Sequence, residues 1–350
     1  LIITATIVVL IITATNTGSS LLATTFTAKK TYEISKSEIS KNANKYFWDN
    51  YHQGNYDSIP NIIAKLEMTL IANPNDLITT THLGFVHAWA SSERQRLNKP
   101  QTNTIEHIIL SRKYFEESNL MNPHDMRILG FLADLTLTEG SILNNKKEQT
   151  RGFFIGKEAI TEWPQFNKFT LGYIFSNLDT SDKNFKQGLE WQYQTIDDCA
   201  CEKSTKFTDY KSAVQKIRSS TDPKIFRACW NTWIVPHNWE GFCLNWGDML
   251  VKNEEVEEAQ RIYNLAKESD TYNEWPFKDV LEKRIKESQQ NVALFNKPVD
   301  EINLKNQKVI MLNSAMACSG CHQMSKNEFK DFEHKGIDID KYYFLNKKFQ

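Results

Sequence analysis

The sequence predicts an all-α protein built as an array of helix pairs, and three observations carry that prediction. Glycine and proline are sparse, 13 and 9 in 350 residues, too few for the regularly spaced turns of a β fold. From about residue 40 onward, apolar residues recur at helical spacing. The punctuation recurs as well. "ANPND" (72–76), "MNPHD" (121–125) and "EWPQF" (162–166) each bring a proline to the end of a helical stretch, and a Leu-Gly pair follows each, at Leu83-Gly84, Leu129-Gly130 and Leu171-Gly172. Proline lacks the amide donor and marks a helix boundary, while glycine on a helix face lets a neighbouring helix come close.

Bulk composition narrows the function classes. A chain of 350 residues is longer than one core usually supports, so a long array or two domains is expected. Its 42 basic and 43 acidic residues give a net charge of -1, which offers no electrostatic footing for nucleic acid or an acidic membrane surface. Aromatic side chains are plentiful, with 9 Trp, 12 Tyr and 20 Phe.

Taken in order, the first element is "LIITATIVVLIITAT" (1–15), which carries no charge. It is shorter than the roughly 20 apolar residues that span a bilayer, and small residues follow it up to Ala28. Residues 1–28 are expected to be a signal peptide or a membrane anchor, which places the rest of the chain outside the cytoplasm. Any membrane contact is expected through residues 1–15. Residues 29–296 are expected to form the helical array, with "GNYDS" (54–58) as a turn between two helices and "SSERQRLNKPQTNT" (91–104) as an inserted loop. In "WGDMLVKNEEVEEAQRIYNLAKES" (246–269), Val256, Ala259, Tyr263 and Ala266 form one apolar helix face.

These spacings resemble the tetratricopeptide repeat, a helix–turn–helix unit of about 34 residues. Phe115, Ser118 and Pro123 fall at the family's aromatic, small and proline positions, and Gly247, Ala259, Tyr263 and Ala266 match its spacings again. The likeness covers roughly residues 45–285. The distance from Pro74 to Pro123 exceeds one unit, and the last unit lacks its closing proline. A plain helical bundle is the alternative. The resemblance implies stacked helix pairs whose curved surface binds protein partners.

Six cysteines fall into two groups. Cys199, Cys201, Cys229 and Cys243 read as disulfide cysteines of an exported protein. Cys199 and Cys201 are too close to bond each other easily and are expected to pair with Cys229 and Cys243, connectivity open. A zinc site joined by His237 is a rival reading, which the C-x-C spacing fits poorly, and buried free thiols are a third.

Cys318 and Cys321 lie in "MACSGCHQM" (316–324) and are followed directly by His322. C-x-x-C-H is the attachment motif of c-type haem: two thiols at that spacing reach the porphyrin vinyl groups and the histidine stands beneath the iron. Residues 318–322 thus resemble the c-type cytochromes, though the globular domain usual in that family is missing around them. The resemblance implies one covalent haem c on Cys318 and Cys321 with His322 as proximal ligand. His334 is the expected distal ligand; Met311, His237 and His124 are alternatives, and Met316 and Met324 sit too near His322 in sequence. A third disulfide, a thioredoxin-like pair without its βαβ context, and a zinc knuckle are the competing readings of Cys318 and Cys321. "FNKPVDEINLKNQ" (295–307) reads as a linker, making 297–350 a linker with a haem-binding segment. Tyr342, Tyr343 and Phe344 are expected either on the porphyrin edge or against the last repeat.

The expectation from the whole sequence is an exported or membrane-anchored mono-haem c-type cytochrome. Its helical scaffold binds other redox proteins or copies of itself, and it transfers electrons rather than catalysing a reaction. A haem-free interaction scaffold and a haem enzyme or sensor, such as a peroxidase, are the alternatives. No hydrolase triad, phosphate loop or H-E-x-x-H helix is present.

Overall fold

A computed structural model describes residues 31, 33, 35–93, 104–202, 210–297 and 317–335, the last two of these by backbone only. The expected leader (1–28), most of the inserted loop, most of the linker, Met311 and Met316, the side chain of His334 and the aromatic tail (342–344) lie outside the described residues. Those that are described form 15 α-helices and no β-strand. The all-α array is therefore shown. None of these helices is long and apolar enough to cross a membrane.

Helices follow one another as antiparallel pairs: α1 (Glu38–Gln53) with α2 (Ile59–Ala72), α3 (Leu77–Ser92) with α4 (Thr104–Met121), α5 (Met126–Ile142) with α6 (Lys146–Glu162), and α7 (Pro164–Phe175) with α8 (Lys183–Ala200). Short helices α9 (Tyr210–Ser219) and α10 (Pro223–Cys229) interrupt the series before α11 (Asn238–Lys252) pairs with α12 (Val256–Leu265) and α13 (Lys278–Phe295) packs on both. Two short helices complete the described chain, α14 (Ser319–His322) and α15 (Lys326–Lys335).

Local chemistry sets the boundaries. In "ANPND" and "MNPHD" the final aspartate is the N-cap: Asp76 accepts from the Thr79 amide and Asp125 from the Arg127 amide, satisfying donors that the first helical turn leaves open. Pro164 begins α7, where its missing N–H costs nothing. Gly54, at φ 64°, closes α1 in the left-handed region, so "GNYDS" is the turn between α1 and α2.

The glycines of the Leu-Gly pairs and of Trp246-Gly247 sit where neighbouring helices touch. A Cβ on Gly84 would lie 3.0 Å from the Phe115 ring, and one on Gly247 only 2.2 Å from Tyr263. Two large apolar cores result. The first holds Phe47, Leu83, Trp89, Phe115 and Leu132; the second holds Phe185, Trp246, Leu250, Tyr263 and Leu281. The loop between α10 and α11 crosses from one to the other. Its Ile234 is buried in the first core, and Trp233 packs edge-on against Trp48 of α1 at 5.4 Å. The first helix of the array thus meets a loop nearly two hundred residues later.

A disulfide joins Cys199, in the last turn of α8, to Cys229 at the end of α10. Closing a loop of that length contributes on the order of 3–4 kcal/mol. The expected second pairing does not form. Cys201 is exposed at the left-handed cap of α8, whereas Cys243 is wholly buried in α11, and both thiols are free. With Cys199 and Cys229 bonded to each other, the zinc reading of this group has also lost two of its ligands.

Replacing Gly247 by alanine is expected to cost about 1–3 kcal/mol, because Tyr263 is fully buried and its hydroxyl is committed to Asp248 at 2.7 Å. Gly84→Ala, with the longer approach, is expected to cost less; urea denaturation of both variants checks the order. A pH limb is expected too. Burial lowers His82 to about 3, beside Asn44, and burial with His107 lowers His87 to about 4. Their folded values lie below the unfolded one, so their contribution is present above about pH 6.5 and is lost as pH falls. Stability should drop by roughly 2–3 kcal/mol by pH 4.5 from His82 alone, and His82→Gln should flatten that limb in denaturation measured across pH.

Candidate functional site

Residues 318–322 form a single helical turn, and the positions i, i+3 and i+4 put Cys318, Cys321 and His322 on one face of it. That face meets Tyr51 of α1. The Tyr51 hydroxyl hydrogen-bonds Cys318, and the His322 ring lies 4.9 Å from the Tyr51 ring. Ser92, at the end of α3, holds its hydroxyl 3.4 Å from Cys318 Sγ. Gly241 of α11 makes the cradle for the second thiol, since a Cβ there would stand 2.1 Å from Cys321 Sγ.

The backbone of this turn is anchored at both ends. Glu93 Oε1 accepts from the amides of Cys318 (3.0 Å) and Ser319 (2.6 Å), while its other oxygen accepts from Trp89 Nε1 at 3.1 Å. These are the first-turn amides that a helix cannot satisfy for itself. At the other end the Gly320 carbonyl accepts from Trp275 Nε1 (2.8 Å) and the Cys321 carbonyl from the His237 amide (2.9 Å). The Met324 amide then donates to the His52 carbonyl at 2.7 Å. A capping box starts α15: Ser325 Oγ accepts from the Glu328 amide at 3.1 Å and Glu328 Oε2 from the Ser325 amide at 2.8 Å.

Burial sets the protonation states, raising thiols and lowering imidazoles. It pushes the Cys318 thiol up to about 12, with Glu93 adding to the effect, and Cys321 higher still. Both are free, neutral thiols, unlike the low-pKa thiolate of a disulfide-exchange centre. Burial also lowers His322 to about 4, so its imidazole is neutral at pH 7. Its Nδ1 lies 2.8 Å from the Ile234 carbonyl, which only accepts, so Nδ1 carries the proton and Nε2 the lone pair. A metal-binding histidine is held in the same way by the bond its other nitrogen makes. Although deep in the molecule, Cys318, His322 and Tyr173 all keep part of their surface accessible.

The remaining expected ligands are dispersed. His237 is occupied on both ring nitrogens, Nδ1 at 3.3 Å from Glu240 Oε1 and Nε2 at 3.0 Å from Glu328 Oε2. Burial alone depresses it, but the two carboxyl groups outweigh that and raise it. Its work is to tie α15 to α11, and it is not a free ligand. His124 is exposed in the turn between α4 and α5. Met324 is buried beside the motif. Tyr51, His52, Glu93, Ile234 and Trp275 were not legible as site residues, because each reaches the motif across at least 45 positions of chain. The S-x-x-E signature at 325–328 was a readable sign of the helix behind the motif.

Comparison with family models, curated proteins and solved structures gives no match. The site's chemistry therefore rests on its own geometry.

Glu93→Gln keeps the volume but sets an amide donor against the donors of Trp89 or of the motif amides. It is expected to cost about 1–3 kcal/mol and to open Cys318 to thiol reagents. Denaturation and the rate of thiol labelling in the folded protein check both effects, and a labelling rate equal to that of the unaltered chain would refute the anchoring role.

Proposed function

We propose that this chain is a mono-haem c-type cytochrome whose helical array, read as tetratricopeptide-like units, holds the haem and docks protein partners. Cys318 and Cys321 carry the thioether bonds and His322 is the proximal ligand. The supporting observation is the state of His322: Nδ1–H is committed to the Ile234 carbonyl and Nε2 holds the lone pair, on the same face as two unbonded thiols. The room that Gly241 leaves for Cys321 Sγ fits the same reading. Bound haem supplies a one-electron couple at iron.

The chain's own groups do the rest. Ile234 fixes the tautomer and turns the ring, Glu93 fixes the first turn of the motif, and Trp275 and His237 fix its last carbonyls. Desolvation keeps both thiols protonated. In this reading the chain is exported, residues 1–28 are its leader or anchor, His334 supplies the sixth ligand, and the partners are redox proteins or further copies of the chain. A haem-free scaffold is the second reading. It is favoured by the number of elements that hydrogen-bond the motif backbone, which makes residues 318–324 a structural keystone with or without haem.

An alkaline pyridine haemochrome spectrum with an intact mass separates the two. Protein made in a host competent for haem attachment is expected to show a c-type spectrum and the mass of one haem. The Cys318→Ser/Cys321→Ser variant should show neither, and His334→Ala should alter the native spectrum with the haem retained. An apoprotein mass without visible absorption in the unaltered chain would overturn the haem reading.

A further inference from the structure

At one end of the array two neighbouring turns carry no charge and leave large apolar side chains in the open. Helices α1 and α3 begin at this end, and α2 and α4 finish there. Hydrogen bonds hold it together: Ser40, in the first turn of α1, donates to Asp76 Oδ2 at 2.7 Å, and Thr81 of α3 donates to Ser118 near the end of α4 at 3.1 Å. The two turns read "MTLIANPN" (68–75) and "SNLMNPH" (118–124). Neither contains Lys, Arg, Asp or Glu, although 24% of the chain is charged. The aspartates that follow, Asp76 and Asp125, are buried as helix caps. Ile71 is 83% exposed, Met68 64% and Leu120 54%, with Ile39 in the first turn of α1 at 60%. The charged side chains nearest in sequence are Glu33, Lys36, Glu38 and Lys41 at the start of α1 and Glu67 in α2, and Glu38 pairs with Lys41 at 3.4 Å. The opposite end differs. Exposed Asp57 lies between α1 and α2, and exposed Lys146 and Lys147 follow Ile142 and Leu143 between α5 and α6. A contiguous apolar surface of this kind marks a contact with a partner or a membrane.

The chain that arrives at this end indicates which. Glu33 is fastened to the α2–α3 turn, its amide donating to the Asn75 carbonyl at 2.9 Å and its carbonyl accepting from the Leu77 amide at 3.1 Å. Ahead of Glu33 the sequence holds no acidic residue, carries Lys29 and Lys30, and opens with the uncharged run 1–15. That run is short of the roughly 20 residues that cross a bilayer, and one weak apolar anchor needs a second contact for stable attachment. Residues 16–32 join the run to Glu33, which holds the apolar end within roughly 60 Å of it at full extension. The tether makes the second contact intramolecular.

We infer that the end of the array formed by the α2–α3 and α4–α5 turns docks on a lipid bilayer, with Met68, Ile71 and Leu120 entering its interface. This rests on reading residues 1–28 as a retained anchor and adds to that anchor a folded contact. Burial of apolar side chains supplies the attraction, so anionic lipid is not required, in keeping with a net charge of -1. The orientation matters for the motif. Helix α3 has 16 residues, and Ser92 at its far end touches Cys318 Sγ. Cys318 is thus held roughly 24 Å from the docked end, along the length of one helix.

The test uses the full chain with Cys201→Ser, which removes the exposed free thiol. In that background Ile71→Cys, Leu120→Cys and, at the opposite end, Lys147→Cys are each labelled in the folded protein with a polarity-sensitive fluorophore. Phosphatidylcholine vesicles are the probe. Flotation with the vesicles reads binding, and emission wavelength reads the surroundings of the label. Expected are flotation of all three, a blue shift on vesicle addition at 71 and 120, and none at 147. Met68→Ser/Ile71→Ser/Leu120→Ser should keep the melting temperature and bind roughly tenfold more weakly. Flotation without a blue shift at 71 and 120 would overturn the docking and leave the anchor standing. A blue shift already present without vesicles would overturn it in favour of a protein occupant, the leading segment or a second copy. Failure of the full chain to float would overturn the anchor reading and this docking with it.

Discussion

The structure turns on the capture of one helical turn by one buried carboxyl group. Glu93 closes α3, takes the indole of Trp89 on one oxygen and offers the other to the amides of Cys318 and Ser319. A four-residue helix has no stability of its own, because nucleation costs more than one turn of hydrogen bonds returns. Residues 318–322 hold their shape because Glu93, Trp275, His237 and His52 take up the polar groups at their two ends. The α10–α11 loop is drawn into the same seam through Ile234, so the first core and the second are joined where the motif sits.

Desolvation gives that seam its chemical character. The same loss of water acts with opposite sign on acids and bases, holding Cys318 and Cys321 as thiols and His322 as neutral imidazole. His237, equally deep, is the exception because Glu240 and Glu328 flank it. The fold thus separates two histidines by partner rather than by depth. One faces a carbonyl and keeps the lone pair on its other nitrogen; the other faces two carboxyl groups and fastens α15.

The helix pairs serve the site through repetition. Close approach at Gly84 and Gly247 fixes the spacing of paired helices. The disulfide between Cys199 and Cys229 secures the short helices that interrupt the array before it returns to the motif.

Much of this was legible in the sequence. Sparse glycine and proline, helical periodicity and the Pro-x-Asp punctuation determined an all-α array and the starts of α3 and α5, because helix boundaries depend on residues within a few positions. The spacing of Cys318, Cys321 and His322 determined that they share a helix face, for the same local reason. Tertiary structure decided what depends on contacts distant in sequence. It chose Cys229 as the partner of Cys199 and left Cys201 and Cys243 free, since pairing depends on where α8 and α10 end in space. It removed His237 from the candidate ligands by giving both its nitrogens to carboxyl groups. It also brought Glu93 to Cys318 and Ile234 to His322, contacts that no local pattern encodes because they arise only when the array closes on its own last turn.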